Sequence, residues 1–493
     1  MSWWQSILLI PYCIALGISI IYGSHRYFIV RLYYRNRRHG PTAQPPPDNW
    51  PTVTVQLPIY NERYVVERLI RSVAGLDYPK DRLEIQVLDD STDDTTGIAG
   101  ACVEALRDEG CAVTHVRRGT REGFKAGALT EGLRTARGEF IAVFDADFVP
   151  PPDLLRRVIP HFADRTVGMV QTRWGHLNRD YSLLTKVQAI FLDGHFVMEH
   201  GARCRSGLFF NFNGTAGVWR RRCIEDAGGW QHDTLTEDLD LSYRAQLAGW
   251  RFVFLPDVVA PAELPVEINA WKTQQHRWAK GSIQTARKLL PRILRSELPF
   301  RVKAESFFHL TGNLSYLLMA LVAVLIFPAI LARTHMGWYR VLLVDLPLFA
   351  MATFAVSSFY IYSQREISPA WRSQIKYLPC LMSIGMGISL NNARAVLEAL
   401  VGHRTEFYRT PKCRIEGRAD TWRGKRYRTG STWTPLIELA LSAYFAGLIG
   451  FCIRHDIYFP IPFLLMFGFG FLYVGALSIW QGKGGVPREK IHE

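Results

Sequence analysis

The sequence predicts an α/β domain, built on a doubly wound and mostly parallel sheet, inserted between membrane-spanning helices. Two observations predict it. Between Thr52 and about Ile283, short β-branched runs alternate with helix-length segments, the pattern of a parallel sheet wrapped by helices. Outside that stretch, at both ends of the 493-residue chain, apolar residues gather into long runs nearly free of charge.

One run opens the chain and four follow the α/β stretch. Trp3 to Tyr22, Leu317 to Leu331, Val341 to Tyr362, Pro435 to Ile453 and Ile461 to Trp480, each with its flanks, approach the ~20 residues that cross a bilayer. Buried core helices explain five such runs in one chain poorly, so five spans are expected. Nothing basic precedes Trp3, whereas His25, Arg26, Arg31, Arg35, Arg37 and Arg38 follow closely. By the positive-inside rule the first span is a retained anchor with its N-terminus outside, and the middle section is cytosolic. Hairpins at His335–Trp338 and His455–Asp456 keep the basic run Arg404–Arg428 and the tail with Lys483, Arg488 and Lys490 inside. The formal net charge of +14 then faces anionic lipid head groups and implies no nucleic-acid partner. The eight cysteines form no C-x-x-C pair and are expected to be reduced and structural.

After the first span, the basic and Pro-rich residues 31–51 form a stiff linker. Strands are expected at Val53–Leu57, Leu83–Leu88, Val113–Val116 and Phe140–Phe144. Helices are expected from Glu62 to Ala74, from the second strand's end to Arg107, and from Phe124 to Thr135. In doubly wound sheets, ligands bind beyond the carboxyl ends of the strands. Two acidic pairs fall there: Asp89-Asp90 after the second strand, and Asp145-Ala146-Asp147 after the fourth. Asp at strand ends is common in turns, and a lone D-x-D is weak evidence. Continued alternation would point Asp145 and Asp147 the same way, fit to share a divalent cation with a diphosphate. Lys125, beside the helix start at Gly127, is placed for the same diphosphate or for solvent.

Phe209–Gly217 is an aromatic loop punctuated by glycine, with room for a sugar. Next comes Leu235-Thr236-Glu237-Asp238-Leu239-Asp240-Leu241, with three carboxylates in four positions at a helix start. Thr234 and Glu237 read as a capping box, with Gly249 closing the helix. Asp238 is left over; the field of the helix start lowers a carboxylate pKa, so it is expected to be ionised and able to accept a proton. Gln274, Arg277 and Trp278 share one helical side, where an indole beside Gln and Arg suits a pyranose ring. An amphipathic helix on the membrane surface fits the same residues. His195-Phe196-Val197-Met198-Glu199-His200 matches no zinc-helix spacing. The run from Tyr377, with Gly385, Gly387 and Asn391-Asn392, is expected to give an interfacial or re-entrant helix.

In that order and on that domain, Asp89-Asp90, Asp145-x-Asp147, Thr236-Glu237-Asp238 and Gln274-x-x-Arg277-Trp278 resemble the processive membrane glycosyltransferases of family 2, the cellulose synthase superfamily. Asn213-Gly214-Thr215-Ala216-Gly217 with Gly228-Gly229-Trp230 is most similar to the plant-type mannan and glucan synthase-like branch. The resemblance implies a cytosolic GT-A type Rossmann-like domain over 52–290, with one membrane helix before it (1–30). A C-terminal membrane region over 291–493 would hold four more, an interfacial helix near 376–402 and a gating-like loop at 403–430. It implies that Tyr60, Glu62, Asp89 and Asp90 hold the nucleoside, with Asp145, Asp147 and Lys125 on Mg²⁺ (or Mn²⁺) and the diphosphate. Asp238, beside Glu237, would be the base, and Gln274, Arg277 and Trp278 would bind the leaving nucleotide and acceptor end. Phe407, Thr410 and Lys412 resemble the gating segment F-x-V-T-x-K, with Arg409 where Val is usual.

The implied activity is processive inverting synthesis of a β-glucan or β-mannan from UDP-glucose or GDP-mannose onto a growing polysaccharide. The implied place is the plasma (bacterial inner) membrane, in contact with lipid, with accessory or export subunits as possible partners. Transfer to a single lipid, ceramide or polyprenyl phosphate, is the rival reaction; the Phe407–Lys412 segment and the paired spans favour the polymer. A sugar-binding export scaffold is the non-enzyme rival. It predicts eroded carboxylates, and all are present.

Overall fold

Seven strands form one sheet in the order β3-β2-β1-β4-β6-β5-β7 in the computed structural model. The strands are β1 (Val53–Ile59), β2 (Leu83–Asp89), β3 (Val113–Arg117), β4 (Phe140–Val143), β5 (Val167–His176), β6 (Gly217–Arg220) and β7 (Arg251–Ala262). The structure describes residues 3–42, 44–334, 338–403, 409–425 and 433–482, without the side chains of 3–8, 332–350 and 352. Phe407, the hairpin residues 335–337 and the tail after residue 482 lie outside them. β6 runs antiparallel to both of its neighbours, and every other pair is parallel. The fold is the expected GT-A-like α/β sheet, with one reversed strand that the alternation of segments did not reveal.

Period-two alternation sorts the central strands between two cores. Phe140 and Ala142 of β4 join Val53, Val55 and Leu57 under the helices Val66–Ala74 and Thr95–Asp108. Ile141 and Val143 join Leu129, Phe212 and Trp219 on the other face. β4 stops at Val143, one residue before the expected end, because Asp145 to Phe148 turn: the Phe148 N–H donates to the Asp145 carbonyl at 3.1 Å. The helix expected from Glu62 begins at Val66, which leaves the Glu62 side chain beside the strand ends.

Four helical stretches among the described residues are long and apolar enough to cross a membrane: Leu9–Arg35, Leu314–Leu331, Thr434–Arg454 and Ile461–Gly482. The fifth expected run, Val341–Tyr362, falls within the helix Trp338–Ile367, about half of whose side chains lie outside the described set. The first helix runs from Trp3 to Arg35, past the expected span and into the expected linker. Ile29, Val30 and Tyr33 carry it onward by packing on Leu184, Met198 and Phe359. Residues 378–401 form two helices, Leu378–Gly387 and Ser389–Val401, broken at Ile388. The second places Val396 and Ala399 on Ile283 of the long helix Ile268–Arg295.

Candidate functional site

One cleft at the carboxyl ends of β1, β2 and β4 gathers the acidic motifs. Tyr60, Glu62, Asp90, Lys125, Asp145, Asp147, Glu237, Asp238, Gln274, Arg277, Trp278, Thr410 and Lys412 all line it, so every described candidate except Asp89 is present. Asp89, the last residue of β2, falls on the Val87 side of the strand and is 1% exposed. Its Oδ1 accepts from the Ser91 N–H (2.8 Å), and its Oδ2 lies 3.0 Å from His115 Nε2. Asp89 thus shapes the turn after β2, and of the expected nucleoside pair Asp90 lines the cleft while Asp89 does not. Asp90 is gripped at both oxygens by Arg118, through Nε at 2.9 Å and through Nη2.

Arg121 lies over Tyr60, its guanidinium carbon 3.3 Å from the ring centroid. Sequence reasoning passed over this arginine because nothing in Thr120-Arg121-Glu122-Gly123 marks it. Gly123, φ +70°, and Phe124, φ +49°, are both left-handed where this loop enters the helix Phe124–Thr135.

Asp145 and Asp147 sit in the turn after β4, each held by a lysine from another part of the chain. Lys125 Nζ donates to Asp145 Oδ1 at 2.5 Å and to the Gly214 carbonyl at 2.8 Å. Lys412 Nζ lies 2.5 Å from Asp147 Oδ2. Both line the cleft from this turn, which the strand alternation does not reach. Two hard carboxylate oxygens facing a cleft suit Mg²⁺ or Mn²⁺, which take oxygen ligands and leave coordination sites for a phosphate.

The helix expected around Asp238 runs Glu237–Leu247, with Thr236 at its N-cap and no side-chain cap. The capping box is therefore absent, because Glu237 is the first helical residue and not the third. Asp238 Oδ1 accepts from the Leu239 N–H at 2.8 Å. Its carboxyl is pushed up to about 7 by burial and then by the charge of Glu237, which together outweigh Lys125, that N–H and Arg277. The expected lowering by the helix start is thus reversed: desolvation of a carboxylate held within the cleft exceeds the field of one helix end. Glu62 is also pushed up to about 7, by burial against the pull of Arg409, with Asp147 and Asp145 adding to the rise.

From the far side comes the segment 409–416. Arg409 Nε donates to Glu62 Oε1 at 2.9 Å, and its Nη1 donates to the Asn61 carbonyl. The buried carboxylate of Glu263, just past β7, accepts the N–H groups of Cys413 (2.9 Å) and Arg414 (2.8 Å). Ile415 is buried against Val266. In sequence Arg409 is only the replacement of an apolar residue, and Glu263 carries no motif.

Residues 51–281 match the model of a family described as "Glycosyltransferase like family 2". Glucomannan 4-beta-mannosyltransferase 1 of Oryza sativa subsp. japonica is 44% identical over 254 residues, covering 50% of this chain and 49% of that protein. Glucomannan 4-beta-mannosyltransferase 2 of Arabidopsis thaliana is 39% identical over 306 residues, covering 59% of this chain and 56% of that protein. The chain spans about half the length of these curated relatives. Among solved structures, mannosyltransferase PcManGT from Pyrobaculum calidifontis, in complex with GDP-Man and Mn2+, superposes with a TM-score of 0.51 at 22% identity. The match covers 79% of this chain and 100% of that one, a likeness of fold.

Proposed function

We propose, from the match of residues 51–281 to the family 2 glycosyltransferase model, that this protein is a processive inverting hexosyltransferase building a β-linked polysaccharide at a membrane. One observation carries the reading. A single cleft brings Asp90, the Asp145–Asp147 pair, Glu237–Asp238 and Gln274–Arg277–Trp278 together from four separated stretches. The donor is a nucleotide sugar, and the names of the relatives favour a mannosyl donor, GDP-mannose, over UDP-glucose. Residues 52–290 would carry the chemistry, and the helices after them would take the polymer across the bilayer of a plasma membrane.

In this reading Asp238 takes the proton of an acceptor hydroxyl. The hydroxyl oxygen bonds to the anomeric carbon from the face opposite the nucleotide, and the bond to the diphosphate oxygen breaks. Trp278 and Gln274 hold the acceptor sugar, while Asp90 and Tyr60 hold the nucleoside. Arg277, Lys125 and Lys412 meet the negative charge that grows on the departing diphosphate, in a site with little water. Asp145 and Asp147 would hold Mg²⁺ or Mn²⁺, which supplies charge stabilisation at the diphosphate.

The test is direct. Purified full-length protein is given Mg²⁺ or Mn²⁺ and radiolabelled GDP-mannose or UDP-glucose, and the product is digested with linkage-specific hydrolases. A long β-mannanase-sensitive polymer from GDP-mannose is expected. A single sugar on an extractable lipid would replace the polymer reading, and no transfer from either donor would remove it.

A further inference from the structure

The helix after β5 changes type at its middle. Leu183–Asp193 is α-helical, Gly194–His200 is a π-helix, and Gly201–Arg205 is α-helical again. The π-segment falls on His195-Phe196-Val197-Met198-Glu199-His200, the stretch that fits no zinc spacing. In an α-helix, residues five apart point about 140° away from each other. In a π-turn, closed by i→i+5 bonds, they come to one side, and such turns gather at functional sites.

His195 and His200 use that geometry. Their ring centroids are 4.4 Å apart, and both reach the side-chain amide of Asn213. His200 Nε2 lies 2.6 Å from Asn213 Oδ1 and 3.0 Å from the Asn211 carbonyl. Facing two oxygens, it must carry the proton. The amide oxygen of Asn213 therefore points to His200 and its NH₂ to His195, where Nδ2 donates to Nε2 at 2.9 Å. His195 then carries its own proton on Nδ1, 2.9 Å from Glu199 Oε2. Glu199 is backed by Arg203 at 3.4 Å; Arg203 pairs with Glu305 at 2.9 Å, and Glu305 with His25 of the first membrane helix at 2.8 Å. Burial, with the charge of Arg203, holds His200 well below the usual histidine range and so neutral.

What this chain of bonds fixes is a loop in the cleft. Asn213 lines the cleft, and the Gly214 carbonyl accepts from Lys125. Gly214 has φ +81°, and a Cβ there would lie 3.0 Å from Asp238 Oδ2, so the loop runs directly beneath that carboxylate.

We propose that His195 and His200, set side by side by the π-turn, are positioning residues that lock the Asn213 amide and thereby seat the Asn213–Gly214 loop between Lys125 and Asp238. The proposal rests on the cleft being the site of sugar transfer. Removing the bond at His195 leaves a polar NH₂ without its acceptor and the loop free to shift, with the donor-holding carboxylates untouched.

Two substitutions separate this role from general packing. His195→Gln places an amide oxygen near the position of Nε2, within reach of Asn213. His195→Asn is too short to reach it, yet still faces Glu199. In purified full-length protein, His195→Asn should lower kcat about tenfold, the weight of one buried hydrogen bond, with donor KM within about twofold of wild type. His195→Gln should retain most of the wild-type kcat. Without substrate, hydrogen–deuterium exchange over residues 211–217 should rise in His195→Asn and not in His195→Gln. Equal behaviour of the two variants, in either readout, overturns the proposal. If the wild-type chain transfers no sugar, the proposed reaction fails while the exchange comparison still decides the clamp.

Discussion

Lys412 and Asp147, 265 positions apart, meet at 2.5 Å in the lining of the cleft. This pair joins the segment that leads toward the Thr434–Arg454 helix to the turn after β4, and so ties that segment to the α/β domain. It also means that a cation arriving on Asp147 meets an ammonium already there.

Asp145→Ala and Asp147→Ala should each weaken donor binding and the response to divalent metal together. Titration calorimetry with the nucleotide sugar, with and without EDTA, measures both. Wild-type donor affinity that ignores EDTA would remove the metal from Asp145 and Asp147.

Asp238→Asn should bind donor nearly as wild type does and lose ~10²–10⁴ in turnover, the usual contribution of a positioned base. Single-turnover transfer at saturating donor checks it. Polymer synthesis at the wild-type rate would exclude Asp238 as the base.

The rate should also follow the protonation of Asp238. Burial and Glu237 push its carboxyl up to about 7. A base acts only when deprotonated, so kcat/KM should climb with pH through about 7 and level off above it. A profile flat from about pH 5.5 upward would place Asp238 in the ordinary carboxylate range instead.

Thr410 lines the cleft at 5% exposure, and its hydroxyl has no hydrogen-bond partner among the described residues. A buried hydroxyl without a partner is costly unless a ligand completes it. Thr410→Ala should therefore lose most polymer synthesis while membrane insertion and detergent extraction stay normal. Phe407→Ala, in the same segment, should do likewise. Wild-type turnover in both variants at saturating donor would make the segment a basic loop held by lipid, at about 1 kcal/mol per charge.

Gly387 and Gly470 let two helices touch backbone to backbone. A Cβ at Gly470 would lie 1.9 Å from the Ser383 carbonyl oxygen, and one at Gly387 would lie 2.2 Å from that of Gly470. Gly470→Ala should lower stability by about 1–3 kcal/mol through overpacking. Gly447→Ala, with nothing within 4 Å, should cost far less. Thermal unfolding in detergent, followed by size-exclusion fluorescence, compares them.

By itself the sequence determined what depends on near neighbours. Short apolar and β-branched runs located the strands β1 to β4 to within two residues, because β1, β2 and β4 bury both faces, whereas β3 buries only Val113. The apolar runs marked the four helices that, among the described residues, are long and apolar enough to cross a membrane, since a span is a matter of length and composition. Chemistry at the strand ends pointed to Asp90, Asp145 and Asp147, because a parallel sheet opens its crevice there. The tertiary structure alone decided what depends on distant groups. It reversed β6, turned Asp89 under the sheet, laid Arg121 over Tyr60, and brought Arg409 and Lys412 onto Glu62 and Asp147. It also raised Asp238 where the helix start alone would lower it. Burial and the charges that share it come from residues far apart in the chain, and no local pattern carries their sum.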